Sequence, residues 1–569
     1  MPFSRLKNQQ ISLSRRAFWV CAAALVLVRL GLTGFQQAYT WVGGAPLDDE
    51  LMFRAAQSIS AGQWLGEYDY LTLSKSMFFP VWLAFLNALH ISYLLGGAAL
   101  WCAAALFAAF AFSLLWEKMP AGQGRAVTLV LFALLACLPS SWAAYTLRVY
   151  RDNIFPALCL LAFAGFAGAA LRVLRTDKTP LWPWLLAGGA GLTAGYLSRE
   201  DAGLFLLPFT VLATLGMLGV AVRRRRWLRA LVQLLPYAML AGGVGIFCAL
   251  NQAYYGVFTL SDFSGGAFAD AMGAMSRVAT ESDEPMLSVP ADARELLYEA
   301  VPELEPLSYW LEEDPQMAND FRDPELDDYR AGSFYWAIRR AAQYEGIYDT
   351  AEGAEAYWQT VADKVNAACD DGTLPARSGR RSGTTQPIRA EYVLPTLKES
   401  LRSLGWVLTF QDCEPYESLR SIGTEEDFAL WSGYLHCSLN GAAEAGKDTP
   451  YYSPTQKLVF GGMQALRLVW AFALPVAFAL AVLFWLRALP ASVRAARKCF
   501  TALVPWTLQT MILFMAALRC GMIAFVEVSS FGIGTSTMYL ATVHPLLVLF
   551  TVVSLVLAAQ KRRNAHAAG

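Results

Sequence analysis

The sequence has only four histidines, and its ten cysteines are scattered without CxxC pairs or zinc-type spacing. It also lacks glycine-rich nucleotide motifs, internal repeats and signatures of nucleic-acid-binding domains. Charged residues make up 16% of the chain, which is low for a soluble protein. These absences argue against a histidine or cysteine metal centre, a soluble nucleotide-binding enzyme and a nucleic-acid partner.

Long apolar segments dominate instead. The 569 residues are 56% hydrophobic, with a mean hydropathy of +0.37. A helix needs roughly 20 apolar residues to cross a membrane. Segments of that kind occur near 17–39, 97–116, 126–145, 153–171, 181–197, 202–221, 228–252, 468–486, 500–520 and 537–559. The sequence therefore predicts an all-α polytopic membrane protein with about ten transmembrane helices.

The net charge of −1 hides a strong asymmetry along the chain. From Ser261 to Lys457 there are 35 acidic and 16 basic residues, which leaves 11 acidic and 29 basic elsewhere. Helical periodicity recurs in the acidic part between proline- and glycine-rich connectors. We therefore expect three parts: a transmembrane module over 1–254, a soluble and mainly helical insert over 255–457, and C-terminal transmembrane helices over 458–569.

The apolar run from Phe78 to Leu95 decides the topology. If it does not span, every basic cluster falls on one side of the membrane, which the positive-inside rule identifies as the cytoplasm. These clusters hold 21 of the 29 basic residues outside the insert: Arg5 to Arg16, Lys118 and Arg125, Arg172 to Lys178, Arg223 to Arg229, Arg487 to Lys498, and Lys561 to Arg563. We therefore predict a multi-pass protein of the cell membrane, with both termini cytoplasmic and residues 255–457 external.

The stretch from Asp48 to Trp64 follows the first apolar segment and has an apolar stripe at helical spacing. It is expected to lie on the membrane surface, as part of an external region of amphipathic helices over 40–95. Asp48, Asp49 and Glu50 stand at its start. Their ordinary interpretation is a helix N-cap and a favourable interaction with the helix dipole. The alternative is a functional acidic site.

Other charges support the second interpretation. In this topology nine of the eleven acidic residues outside the insert are external: Asp48, Asp49, Glu50, Glu67, Asp69, Asp152, Glu200, Asp201 and Glu527. External cations accompany them, namely Arg54, Lys75, Arg148, Arg151, Arg199 and Arg519, with Arg467 near the outer boundary. Such convergence suits a reaction on an anionic, membrane-held substrate. Simple salt bridging between short loops is the alternative.

Several motifs resemble the GT-C superfamily of polytopic glycosyltransferases, which includes protein O-mannosyltransferases and lipid A aminoarabinose transferases. An acidic pair and an AxxxxxGxW-like helix, Ala56 to Trp64, follow the first span. A surface helix leads in from Lys75, a second external acidic residue is Asp152 in TLRVYRDNIF, and Arg199 closes the fifth span in YLSREDAGLFLLP. Near the end, MYLATVHPLLVLF resembles the last span of such enzymes, with Ala541 where proline is usual.

The resemblance implies a GT-C-like N-terminal module and an inverting transfer of a sugar from a polyprenyl-phosphate donor. The acceptor would be a glycan, lipid or protein at the external face. Asp48 or Asp49 would be the general base. Arg148, Arg151 and Arg199 would bind the donor phosphate, with Lys75, Arg467 and Arg519 as further candidates and Asp152 beside them. Some members hold a divalent metal such as Mg²⁺ or Mn²⁺ on the acidic pair, so metal dependence stays open.

A non-catalytic transporter or binding protein for lipid-linked glycans is the alternative function. It would need a similar charged lining, but transporters usually carry repeated halves or paired broken helices, and this sequence has no such repeat. Within the insert, Cys413 and Cys437 are the closest pair of cysteines, and we expect them to form a disulfide in an external compartment.

The topology predicts where an impermeant thiol reagent can act. A cysteine introduced beside Arg225 should stay unmodified in intact cells, because the loop is cytoplasmic, and should react once the membrane is opened. A cysteine introduced into the insert should react in both conditions. Modification beside Arg225 in intact cells would contradict the whole topology.

Overall fold

The computed structural model of the chain describes residues 12–174, 179–282, 284–377, 379–497, 500–532, 534 and 537–568. The first half consists of helices α1 (Arg15–Thr33), α2 (Leu51–Ser60), α3 (Phe78–Ala88), α4 (Tyr93–Phe112), α5 (Ala121–Ala136), α6 (Ala144–Leu147), α7 (Phe155–Val173), α8 (Trp182–Tyr196), α9 (Ala202–Arg223), α10 (Trp227–Val232) and α11 (Leu235–Tyr255). The basic residues Arg5, Lys7, Arg175, Lys178 and Lys498 lie outside the described residues.

The second half is also helical. It contains α12 (Gly266–Met275), α13 (Ala291–Ala300), α14 (Pro315–Phe321), α15 (Ala331–Tyr344), α16 (Ala351–Asp371), α17 (Ala390–Leu408), α18 (Glu425–Leu435), α19 (Pro454–Ala496), α20 (Val504–Val526) and α21 (Val543–Ala568). Over the described ranges there are isolated β-bridges but no strands. The all-α fold class is thereby confirmed.

Eight helical segments among the described residues are long and apolar enough to cross a membrane: Arg15–Thr33, Tyr93–Trp116, Phe155–Val173, Ala202–Arg223, Trp227–Tyr255, Pro454–Ala496, Val504–Phe531 and Met538–Arg563. A ninth arises if Ala121–Ala136 and Pro139–Leu147, which meet at a bend of 53°, form one span. The remaining predicted segment, 181–197, contains α8, whose 15 residues reach only about 22 Å at 1.5 Å per residue.

The apolar run from Phe78 to Leu95 does not form one spanning helix, as predicted. α3 has 11 residues, about 16 Å of helix, and ends at Ala88. His90 then takes a positive φ of 55°, and α4 begins at Tyr93. Two helices joined by a turn therefore occupy a run that is apolar throughout.

Glycines allow α7 and α8 to pack backbone against backbone. A methyl group added to Gly165 would lie 2.4 Å from the Cα atom of Gly188. One added to Gly191 would lie 2.6 Å from the backbone nitrogen of Ala162. Small residues at helix contacts are common in membranes, where close approach of the backbones supplies van der Waals contact.

The insert has a core of its own and rests on the membrane module. Its core lies mainly between α12, α15 and α16, around the fully buried Trp358. Arg339 of α15 donates to the backbone oxygen of Tyr70 at 3.0 Å. Phe53 of α2 stacks on Trp431 of α18 with ring centroids 3.8 Å apart. These contacts hold the insert against the segment that follows the first span.

The predicted disulfide between Cys413 and Cys437 is wrong, because both residues are free thiols. Cys413 is buried beside Tyr145 and His544, at 3.8 and 3.9 Å. Cys437 follows α18 and packs in a different apolar cluster, together with α2 and α3. The short distance in the sequence did not predict a disulfide correctly, because α18 and its flanking loops separate the two thiols.

The α7–α8 contact predicts a specific loss of stability. Gly165→Ala should lower the thermal unfolding temperature in detergent, because overpacking a close contact typically costs about 1–3 kcal/mol. Gly216→Ala in α9 is the matched control, since a methyl group there meets no atom within 4 Å. The control should be neutral or slightly stabilising, as alanine favours helix by about 1 kcal/mol over glycine. Equal effects of the two changes would contradict the packing interpretation.

Candidate active site

The acidic pair lies in a π-helical turn, Pro46–Glu50, that leads directly into α2. Neither carboxylate caps a helix in this turn, so the N-cap interpretation of Asp48 is wrong. The two neighbours differ in exposure, because the side chain of Asp48 is 34% exposed whereas that of Asp49 is fully buried. One carboxylate can therefore reach a substrate and the other is enclosed by protein.

Asp48 is surrounded by donors. Its Oδ1 accepts hydrogen bonds from the ammonium of Lys75 and, at 2.9 Å, from the hydroxyl of Tyr150. Arg148 approaches Oδ2 at 3.5 Å. Burial opposes ionisation of Asp48, but Lys75 and Arg148 outweigh it and hold its pKa below the usual value. Asp48 is therefore a carboxylate at neutral pH.

Asp49 has the opposite character. Its Oδ1 lies 2.7 Å from Nε of Arg148, and its Oδ2 accepts from the backbone nitrogen of Trp41 at 3.3 Å. Burial nevertheless raises the pKa of Asp49 to about 7, because the compensating charge of Arg148 is shared and the negative charge of Asp48 is close. The acidic pair thus combines a permanent carboxylate with one that titrates near neutrality.

The backbone fixes Arg148 between the two carboxylates. The nitrogen of Tyr39 donates to the carbonyl of Leu147 at 3.2 Å, and the nitrogen of Val149 donates back to Tyr39 at 3.1 Å. Tyr93 of α4 donates its hydroxyl to the carbonyl of Arg148 at 2.5 Å. The ring of Trp41 covers the guanidinium at 4.8 Å. An extended segment that follows α1 therefore positions the shared cation.

A second ion pair adjoins the first. Arg151 donates from Nη1 to both carboxylate oxygens of Glu200, each at 2.9 Å. The backbone nitrogen of Ser76, next to Lys75, donates to Glu200 at 2.7 Å. The pKa of Glu200 is lowered, because burial opposes ionisation but Arg151 and the Ser76 nitrogen outweigh it. The loops before α7 and after α8 are thereby joined to the Lys75 segment.

A third group of charges reaches the last spans. Arg199 binds Asp152 at 3.0 Å and Asp201 at 3.1 Å. Arg519 of α20 binds the second oxygen of Asp201 at 2.5 Å and the backbone oxygen of Tyr539 at 2.9 Å. The ring of Tyr539, from the MYLATVH motif, covers the guanidinium of Arg199 at 4.7 Å. The N-terminal module and the C-terminal helices therefore meet at this site.

Together these contacts form one charged band of five carboxylates and five cations. Its members are Asp48, Asp49, Asp152, Glu200 and Asp201 with Lys75, Arg148, Arg151, Arg199 and Arg519. The cations are buried, with side chains at most 9% exposed. Asp48, Glu200 and Asp201 are 34%, 25% and 28% exposed. An incoming anion would meet carboxylates first and would have to displace them.

Eight of the nine predicted site residues lie in this band, and Arg467 does not. Arg467 binds Glu414 at 2.8 Å and the backbone oxygen of Phe410 at 2.9 Å. It therefore joins α19 to the end of the insert, apart from the charged band. The sequence indicated that Arg467 lies near the outer boundary, but it did not show on which side of α19 the Arg467 side chain lies.

Sequence reasoning missed three participants. Glu200 and Asp201 were counted as external acids but not as site residues. Tyr150 was overlooked, although it stands between Arg148 and Arg151; its ring lies 5.1 and 5.0 Å from their guanidinium carbons. Its position between two arginines was the available signal.

The insert also contributes to the band. Trp336 of α15 places its ring 5.3 Å from the ammonium of Lys75 and stacks on Phe263 with centroids 4.5 Å apart. Both rings are partly buried and pack against the insert core. The insert therefore covers part of the charged band instead of standing apart from it.

A divalent metal does not fit the acidic pair as it is arranged. Lys75 and Arg148 already occupy the oxygens that would bind a cation, and their positive charges disfavour a metal there. Among the described residues, no three histidine, cysteine, aspartate or glutamate side chains form a group that could hold a metal ion. The charged side chains are therefore the groups that this site offers for chemistry.

No family model and no curated protein matches the sequence. Solved structures similar to the chain include ArnT from Cupriavidus metallidurans in the apo state, with 13% identity and a TM-score of 0.29. ArnT from the same organism bound to undecaprenyl phosphate gives 12% identity and a TM-score of 0.30. Each similarity covers 95% of this chain and 78% of the other.

The different environments of the two aspartates predict different effects of pH on stability. An unfolded aspartate has a pKa of about 3.9. Because the pKa of Asp49 is raised to about 7, the wild-type free energy of unfolding should fall as pH rises between these values. Asp49→Asn removes this titration. The unfolding temperature of the variant relative to wild type should therefore rise from about pH 5 to about pH 8.

Asp48→Asn is the matched control for this measurement. The pKa of Asp48 is lowered, so its charge stabilises the folded state above the unfolded pKa. The Asp48 variant should therefore unfold at a lower temperature than wild type throughout the same pH range. Parallel curves for wild type and Asp49→Asn would show that Asp49 does not titrate there.

Proposed function

We propose that the chain is an inverting membrane glycosyltransferase of the GT-C type that uses a sugar donor linked to polyprenyl phosphate. One observation supports this most directly. A partly exposed carboxylate, Asp48, is held ionised by Lys75 at the edge of a band of buried arginines. A base beside clustered cations is what transfer from an anionic leaving group requires.

In the proposed reaction, Asp48 is the general base. The hydroxyl of the acceptor attacks the anomeric carbon of the donor sugar from the face opposite the phosphate. As the new carbon–oxygen bond forms, Asp48 takes the hydroxyl proton, and the bond to the phosphate breaks with its electron pair. The polyprenyl phosphate leaves with the negative charge. Asp49, which is buried, positions Arg148 and does not touch the acceptor.

The donor phosphate binds by exchange of partners. Lys75, Arg151 and Arg199 are each paired with a carboxylate in this structure. Glu200 and Asp201 are partly exposed and can rotate toward water, which frees Arg151 from Glu200 and leaves Arg199 paired with Asp152 alone, so that both guanidinium groups can bind a phosphate. When Lys75 turns to the phosphate, Asp48 loses its closest cation, and its pKa rises toward that of a useful base.

The topology of the basic clusters supports an external site with both termini in the cytoplasm. The acceptor is then a glycan, lipid or protein of the cell envelope. The position of Trp336 over Lys75 supports a role for the insert in covering the acceptor while it reacts. An aromatic ring at that place can also stack on a sugar ring.

Asp48→Asn tests the proposed base. The substitution keeps the shape of the side chain and one acceptor oxygen but removes its negative charge and its proton affinity. Turnover of a polyprenyl-phosphate sugar should fall by about 100- to 10,000-fold. Binding of polyprenyl phosphate should persist. Arg151→Ala is the complementary variant, which should weaken that binding because it removes a cation of the donor site.

The Asp49→Asn variant separates the two aspartates. With Asp48 as base, Asp49→Asn should retain most activity, and its rate should show no titration near neutrality. If Asp49 is the base, Asp49→Asn should be inactive at every pH. Normal turnover in both asparagine variants would remove the main support for an enzyme.

A further inference from the structure

Helix α17 belongs to the insert in sequence but packs against a membrane span. Tyr392 lies 6.1 Å from Phe525 of α20 between ring centroids. A methyl group on Gly521 of α20 would meet the Ser400 hydroxyl at 4.0 Å. Val407, further along α17, is fully buried in the same apolar cluster as the spanning helices. The buried face of α17 is therefore directed at α20.

A second face of α17 is apolar and uncovered by the described residues. Val393, Leu394, Leu397 and Leu401 are 60%, 74%, 56% and 63% exposed. They recur at helical spacing on one side of the helix, next to the face that contacts α20. Four large aliphatic side chains side by side form the kind of patch that soluble surfaces rarely present to water.

A third face is polar. Lys398 and Arg402 are exposed and stand one turn apart, opposite the contact with α20. Arg402 also lies over the ring of Trp406 at 4.6 Å. A helix with an apolar stripe, basic residues beside it and aromatic residues near its end has the composition of a helix that lies in a membrane interface.

The surroundings of α17 identify what covers the apolar face. The helix leads to Phe410, whose ring contacts Trp470 of α19 and His544 of α21. Close to this point, Val469 and Phe472 of α19 are 62% and 77% exposed on a spanning helix. In a span, such residues face lipid. Because α17 packs on α20 and leads to a contact with α19, its aliphatic face adjoins spanning helices.

We propose that α17 is a membrane-interface helix that anchors the insert in the bilayer. Its leucines lie among acyl chains, and Lys398 and Arg402 lie at the level of the lipid phosphates, where long basic side chains can reach. The insert is then fixed to the membrane at α17 as well as at the two helices from which it emerges. This role is independent of the catalytic proposal.

Spin labels on α17 test the proposal in the full-length protein. Leu394→Cys, Leu397→Cys and Leu401→Cys would each be labelled with a nitroxide and reconstituted into phosphatidylcholine and phosphatidylglycerol vesicles. Lys398→Cys and Arg402→Cys are the matched controls on the same helix. Collisions with oxygen, which dissolves among acyl chains, are compared with collisions with a water-soluble nickel chelate. The unmodified protein, treated identically, gives the background of its native cysteines.

The ratio of oxygen to nickel collisions should be several-fold higher at the three leucine positions than at the two controls. An equal ratio at all five positions would place the apolar face in water and overturn the proposal. Protection of the leucine positions from both reagents would also overturn it, since a protein surface would then cover them. All five side chains are exposed, so the substitutions leave the contact with α20 intact, and thermal unfolding of each labelled variant checks this.

Discussion

Charge neutralisation around Arg148 is the constraint on which the rest of the site depends. A charge removed from water requires a partner, and loss of one partner from a buried pair costs about 3–5 kcal/mol. Arg148 neutralises parts of both Asp48 and Asp49, while the extended segment at Tyr39 and the hydroxyl of Tyr93 hold its backbone. The turn that contains the acidic pair can therefore form only when α1, α4 and the loop before α7 are assembled.

The same requirement spreads through the whole charged band. Asp201 links Arg199 to Arg519, which brings α20 and the start of the last span to loops of the N-terminal module. A balanced band of this kind holds the helices in a defined arrangement, because each cation is paired with at least one carboxylate. In the proposed reaction an incoming anion must replace these carboxylates, which suits the several oxygens of a phosphate better than a single carboxylate.

The sequence was most informative where the membrane imposes simple rules. The distribution of basic residues predicted that the run at Phe78 does not span, and α3 is indeed too short to cross a membrane. The expectation that Lys75, Arg148 and Arg199 converge came from the same predicted topology. Pairwise contacts were beyond reach, because they depend on rotation about helix axes. Arg467 points to Glu414 and not to the charged band. The membrane contact proposed for α17 was not predicted from the sequence, because Lys398 and Arg402 interrupt its apolar stripe and make it resemble a water-soluble helix.

The acidic pair illustrates how adjacent residues acquire different chemistry. The π-helical turn directs Asp48 toward Lys75 and the solvent, while Asp49 enters the protein beneath Trp41. Because Arg148 is common to both, their charges are coupled. When Asp49 is protonated, Arg148 serves Asp48 alone and lowers its basicity. When Asp49 loses its proton near neutral pH, Arg148 is divided between two anions and Asp48 becomes the stronger base. If Asp48 is the base, as proposed, the buried Asp49 sets the pH at which its neighbour works.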